Sequence, residues 1–191
     1  KRLEVLTEII RRRQAVVGLL SGTMSRDEAF QFMRLGRNVE RADMTSRVLD
    51  VSYAVNLPFQ GGQRNDLVWM SVLTALSAHQ MYRRHVGVHA KGHRVVEFLL
   101  KDPLFPRSVR HCLDEIASAL DQLPGESPRL RIGALSRALD AADCRALAAS
   151  GLHDFCDALQ AGLAALSGDI ANAYFPAAYA RELNQKAFQL A

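Results

Sequence analysis

Cysteine is nearly absent from this 191-residue chain. Cys112, Cys144 and Cys156 form no C-x-x-C pair and leave one thiol over, so they read as reduced cysteines of a cytoplasmic protein. Glycine and proline are scarce, at 12 and 6 residues, and aromatics make up 7%. An all-β chain spends the first two on turns and the third on strands, so this composition argues against that class. No apolar run approaches the roughly 20 residues of a membrane span, and no signal peptide opens the sequence. Strong charge of one sign is missing too: 24 basic and 20 acidic residues leave a net +4. The one basic run, Arg11-Arg12-Arg13, has no aromatics interleaved with it, which argues against nucleic acid.

What is present suits one globular domain over residues 1–191. Apolar residues make up 49% and charged residues 23%, enough for a core without metal or disulfide staples. Arginine outnumbers lysine 20 to 4. Arginine favours bidentate pairing with carboxylate or phosphate, although a GC-rich genome leaves the same bias.

Helical signals follow one another along the chain. Residues 1–20 carry Leu3, Leu6, Ile10, Val17 and Leu20 at mixed three- and four-residue steps. Ser25-Arg26-Asp27-Glu28 has the form of a capping box and predicts a long helix from there to Asn56, before Pro58. Gly61-Gly62 falls in a loop, and Asn65-Asp66 opens a helix to Val86. A short helix is predicted over 93–101, then one from Pro106 to Leu123. After the linker Pro124–Pro128, helices are predicted over 129–149 and 152–175, with Pro176 opening a terminal one. No stretch alternates with period two. The reading is an all-α bundle of about six to eight helices with no sheet.

The stretch Phe32 to Val51 is the most informative. Turned about 100° per residue, it places Leu35, Val39, Ala42, Ser46, Leu49 and Tyr53 on one arc and Met33, Met44, Val48 and Val51 on another. Between them run Gly36, Glu40, Asp43, Arg47 and Asp50, while Arg34, Asn38, Arg41, Thr45 and Ser52 form what reads as the wet face. Asp43 and Asp50 lie four residues before and three after Arg47, within pairing reach on a helix. A charged stripe between two apolar arcs predicts one connected network of Glu40, Asp43, Arg47 and Asp50 on the buried side. Gly36 on the same stripe would let a neighbouring helix or a ligand approach the backbone. Such a stripe is either a structural cross-link between helices or a polar pocket that holds a charged group.

The pattern L-G-R-x-x-E-R-A-D-x-x-x-R-x-L-D, here Leu35 to Asp50, closely resembles the alpha-E family of all-helical bacterial proteins. The segments G-L-L-S-G-T-M-S-R-D-E-A-F, Tyr82-Arg83-Arg84 and F-L-L-K-D-P-L-F-P-R-S-V fit the same family, and the likeness covers about residues 11–175. The family pattern usually has an earlier copy of these elements. With one copy and Lys1 at its start, this chain reads as the C-terminal portion of a longer protein, and the helix face left without its partner predicts self-association.

The resemblance implies a genomic setting beside circularly permuted ATP-grasp ligases and transglutaminase-like proteins. That in turn implies an accessory or partner role in forming amide or peptide bonds. The alternative is an enzyme of the same pathway, with Glu40 or Asp43 as general acid or base. Arg37, Arg41, Arg47, Asp50, Tyr82 and Arg83 complete the candidate binding residues for a small anionic or peptide substrate. No G-x-x-x-x-G-K-[ST] loop is present, so the chain does not supply the ligase. His85, His89 and His93 recur every four residues, but Gly87 and Gly92 interrupt them, and no metal or other cofactor is expected.

Overall fold

The computed structural model describes residues 2–56 and 63–175. Among the described residues the chain forms nine helices and no strand. These are α1 (Arg2–Thr23), α2 (Glu28–Asn56), α3 (Gln63–Ala75), α4 (His79–His85) and α5 (Gly92–Lys101). They continue as α6 (Val109–Leu120), α7 (Ser127–Ala141), α8 (Cys144–Ala149) and α9 (Leu152–Tyr174). None of them is long and apolar enough to cross a membrane. Gly61-Gly62 and the helix expected after Pro176 lie outside the described residues.

Several helix ends differ from expectation, each for a local reason. α2 starts at Glu28 because Asp27, not Ser25, caps it: its carboxylate accepts from the Phe30 amide at 3.2 Å. The helix expected through Val86 breaks after Ala75, where Ser77 takes a positive φ of 54° and α4 begins afresh. The helix expected over 129–149 breaks at Ala142-Asp143, and Asp143 caps α8 by accepting from the amides of Arg145 and Ala146. α6 is capped by Ser108 rather than led by Pro106; the Ser108 hydroxyl accepts from the His111 amide at 3.1 Å.

α2 is the axis of the bundle. It packs along α6 and α9 and touches α3, while α7 lies against α6 and α9 and α5 lies against α8. Their shared core includes Leu35, Leu49, Leu99, Leu113, Ile116 and Leu163, all essentially out of water. α5 buries Val95, Val96, Phe98, Leu99 and Leu100. The turn after it is held by Asp102, whose carboxylate accepts from the Leu104 and Phe105 amides, and by Ser108, whose hydroxyl donates to the Asp102 carbonyl. Phe98 stacks on Phe105 at 5.1 Å within the same unit. The F-L-L-K-D-P-L-F-P-R-S-V segment is therefore a buried helix followed by a rigid corner. α1 stands apart, with no buried residue and with Leu3, Val5, Leu6, Ile9, Ile10, Val16 and Leu19 exposed.

Candidate functional site

Of the two apolar arcs expected on α2, the one through Leu35, Ala42, Ser46, Leu49 and Tyr53 faces the core and the other does not. The residues α2 buries are Gln31, Leu35, Asn38, Ala42, Thr45, Ser46, Leu49 and Tyr53. Part of the supposed wet face is thus inside, and Met44 and Val51 of the second apolar arc are 50% and 62% exposed. Hydrogen bonds ease the burial of the polar members: Gln31 accepts from Arg34, and the others donate to carbonyls, although Asn38 Oδ1 has no partner among the described residues. Asn38 donates to the Arg34 carbonyl, Ser46 to the Asp43 carbonyl, and Thr45 to the Arg107 carbonyl at 2.8 Å. Arg34 reaches Glu115 of α6 at 3.0 Å.

This rotation moves the charged stripe to a border. Gly36, Glu40, Asp43 and Arg47 line one side of a groove of about 520 Å³ between α2 and α9. Its apolar wall includes Phe32, Val39, Leu163, Ile170 and Phe175. Phe32 closes one end, with the rings of Tyr174 and Phe175 each 5.1 Å from its own. Gly36 does not admit a neighbouring helix: a Cβ placed there meets nothing within 4 Å, and the position opens into the groove.

The expected single network of Glu40, Asp43, Arg47 and Asp50 is divided in three. Arg47 forks onto Asp43, with Nε at 2.7 Å from Oδ2 and Nη2 at 3.1 Å from Oδ1. The Asp43 carboxylate raises the Arg47 pKa, and the Arg47 side chain is 57% exposed, so the pair sits at the surface. Asp50 turns instead to His153 of α9, whose Nδ1 lies 2.7 Å from its carboxylate, and Asp157 lies 3.6 Å from the other ring nitrogen. The hydrogen bond to Asp50 is the main cause of a raised His153 pKa, followed by the charges of Asp50 and Asp157. Glu40 is exposed and, among the described residues, makes no hydrogen bond or ion pair.

Across Glu40 from the groove lies a second, smaller cavity of about 70 Å³. Arg37 and Arg41 line it from α2, Arg13 from α1 and Arg107 from the corner after α5, with Glu40 at its edge. Arg41 is half-buried, and its pKa is lowered chiefly by burial and then by the charge of Arg37, with Arg107 and Arg13 acting the same way. Arg13, Arg107 and His153 were not among the candidates read from the sequence. Arg107 lay within a family-like segment, but nothing in its spacing tied it to α2.

Two candidates leave the site. Tyr82 is 1% exposed, donates to the His89 carbonyl at 2.9 Å and packs edge-on against Phe98, so it is a core residue. Arg83 is exposed on α4, a helix that packs on α3. His85 faces Asp102 at 3.7 Å. Among the described residues, the one group with ligand atoms mutually within 4.8 Å is Asp50, His153 and Asp157. All three cysteines are free and buried, and burial pushes the thiols of Cys112 and Cys156 up to about 12.

The model of a family described as a predicted alpha-helical domain with a conserved ER motif matches residues 1–175. The chain belongs to the Alpha-E family. Glu40-Arg41 is the one Glu-Arg dipeptide in the whole sequence, so the motif that gives Alpha-E its description falls between the two cavities. The match begins earlier than the likeness read from residue 11 and includes all of α1. No curated protein and no solved structure matches the chain.

Proposed function

We propose that this Alpha-E chain is a helical accessory component of an amide- or peptide-bond-forming system. In this reading its partners are a circularly permuted ATP-grasp ligase or a transglutaminase-like protein, and the α2–α9 groove holds a peptide segment of the partner or of the substrate. The observation that carries this reading is the groove itself. Its wall is apolar, its volume falls within the range of ligand sites, and a fixed Arg47–Asp43 pair lies along the rim. Apolar side chains of a peptide would fill the floor, and its polar backbone would meet the rim. The partner class follows from what the family resemblance implies.

The experiment is ATP-dependent ligation by the partner ligase, measured with and without the chain. Gly36→Leu projects into the groove from a position with free space, so it should fold normally and abolish the chain's effect on ligation. A Gly36→Leu protein that supports ligation as well as the parent would refute the groove reading.

One observation favours the enzymatic alternative strongly enough to keep it. Glu40 is exposed on the rim and engaged by no partner among the described residues, which leaves its carboxylate open to a substrate as a general acid or base would have to be. Asp43 is gripped by Arg47 instead. Loss of ligation in Glu40→Gln, in a protein of unchanged melting temperature, would support acid–base chemistry at Glu40; full activity would remove it.

A further inference from the structure

Some arginines of this chain find acceptors. Arg34 reaches Glu115, Arg47 reaches Asp43, Arg131 reaches Asp169, and Arg129 reaches the carbonyls of Leu120 and Leu123. The four around the small cavity do not and, unlike the exposed Arg83 and Arg84, they converge on one spot. Among the described residues, no side-chain hydrogen bond or ion pair joins Arg13, Arg37, Arg41 or Arg107 to a protein acceptor. Four guanidinium groups against the single carboxylate of Glu40 leave the lining strongly positive. Arg37 Nε is fully out of water and has no acceptor. A buried donor of this kind is uncommon in folded proteins and calls for an explanation.

The arrangement is built rather than accidental. Arg37 and Arg41 stand one helical turn apart on α2 and so address the same spot. Arg107 is brought in by the Asp102–Ser108 corner, and the Thr45 hydroxyl holds its carbonyl to α2. Size then narrows the ligand. About 70 Å³ is well below the roughly 300–1,000 Å³ of drug-sized ligand sites, which suits a single small oxyanion or the end group of a larger molecule rather than a whole nucleotide or a peptide.

Glu40 narrows it further. An acceptor-only carboxylate beside four cations repels a fully deprotonated anion but accepts a hydrogen bond from one that still carries a proton. Hydrogen phosphate has such a proton at neutral pH, and sulfate does not. We propose that Arg13, Arg37, Arg41 and Arg107 form a binding site for one phosphate group, with Glu40 selecting the protonated oxyanion. The site does not rest on the groove reading, because it uses a different cavity and no partner protein.

The test is calorimetric titration of the chain at neutral pH and constant ionic strength, with inorganic phosphate, sulfate and O-phosphoserine as separate probes. Phosphate should bind saturably at one site and more tightly than sulfate. Arg37→Gln and Arg41→Gln should each weaken it by about tenfold or more, the loss expected for one charged hydrogen bond. Arg84→Gln, exposed on α4, should change nothing. Glu40→Gln should close the gap between phosphate and sulfate. Phosphoserine, whose phosphoryl group has mostly lost its last proton at neutral pH, should bind more weakly than phosphate there and no better than sulfate, which assigns the site to the free ion. Phosphoserine binding as tightly as phosphate at that pH would overturn the role of Glu40. Arg13 is exposed on a helix with no buried residue, so Arg13→Gln keeps the test open if Arg41→Gln unfolds. Equal responses to phosphate and sulfate in the parent, or binding untouched by Arg37→Gln and Arg13→Gln, would overturn the proposal.

Discussion

Thr45 offers the sharpest check on how α2 is oriented. Its hydroxyl donates across 62 residues to the Arg107 carbonyl at 2.8 Å, and the residue is 1% exposed. Thr45→Val keeps the branched shape and removes only the donor, so it isolates that bond. The Arg107 carbonyl is then left without this partner, at a cost of about 1–3 kcal/mol. Thr45→Ser keeps the hydroxyl and loses one methyl, worth about 0.8 kcal/mol when buried. Valine should therefore be the more damaging substitution, although it is the more apolar one at a buried site. With a urea m-value of about 2 kcal/mol/M, the Thr45→Val midpoint should fall by roughly 0.5–1.5 M with an unchanged slope. Equilibrium urea unfolding followed by circular dichroism measures both variants. A Thr45→Val protein as stable as the parent, or a Thr45→Ser protein less stable than Thr45→Val, would mean that α2 does not turn this face inward. The corner that carries Arg107 would then have lost its anchor in the argument for the arginine cavity.

Three further outcomes are expected. Gly36→Ala should raise stability by about 0.5–1 kcal/mol in thermal or urea melts, because a Cβ meets nothing there and helix-interior glycine is costly; destabilisation would contradict the open geometry. His153 has its pKa raised by Asp50, so its contribution to stability is full below the unfolded value of roughly 6.5 and is lost as pH rises through the folded value. The stability difference between the parent and His153→Gln should shrink with rising pH across that window, and a difference that stays flat would exclude the Asp50–His153 contact. The seven exposed apolar residues of α1 should drive association that Leu6→Glu or Ile10→Glu weakens in light scattering, whereas a parent that stays monomeric over a wide concentration range would refute this.

The helical class was legible because nothing in the chain competes with it: few glycines and prolines, and apolar steps of three and four. Breaks were legible only where glycine or proline marked them. The turn at Ser77 carries neither, and its positive φ depends on how α4 leaves α3. The break at Asp143 did have a signal, an acidic N-cap residue, but it was hidden within an alanine-rich run that favours helix. The orientation of α2 was not legible. Angular clustering separates the faces of a helix but does not say which of them meets the core. Here the buried face carries Asn38, Thr45 and Ser46, whose side-chain donors bond to backbone carbonyls, which offsets part of the cost of burying them. Hydropathy alone therefore centred the buried side about a third of a turn from where it lies, at about 100° per residue.

That rotation also explains how a two-residue motif can serve two cavities. Neighbouring residues on a helix point about 100° apart. With the core face running through Leu35, Ala42 and Leu49, Glu40 falls on the ridge and Arg41 on one flank. Among the described residues, Glu40 is the one side chain that lines both the apolar groove and the arginine cavity. A phosphate held by Arg37 and Arg41 would engage the Glu40 carboxylate and withdraw it from the groove rim. Occupancy of one cavity then changes the charge presented to the other, with no helix having to move. Reciprocity follows, since a ligand in the groove that needs Glu40 must weaken phosphate binding by the same factor. Titrating phosphate with a groove-binding peptide present and absent measures that factor. Equal phosphate affinities in the two titrations would show that Glu40 does not couple the cavities.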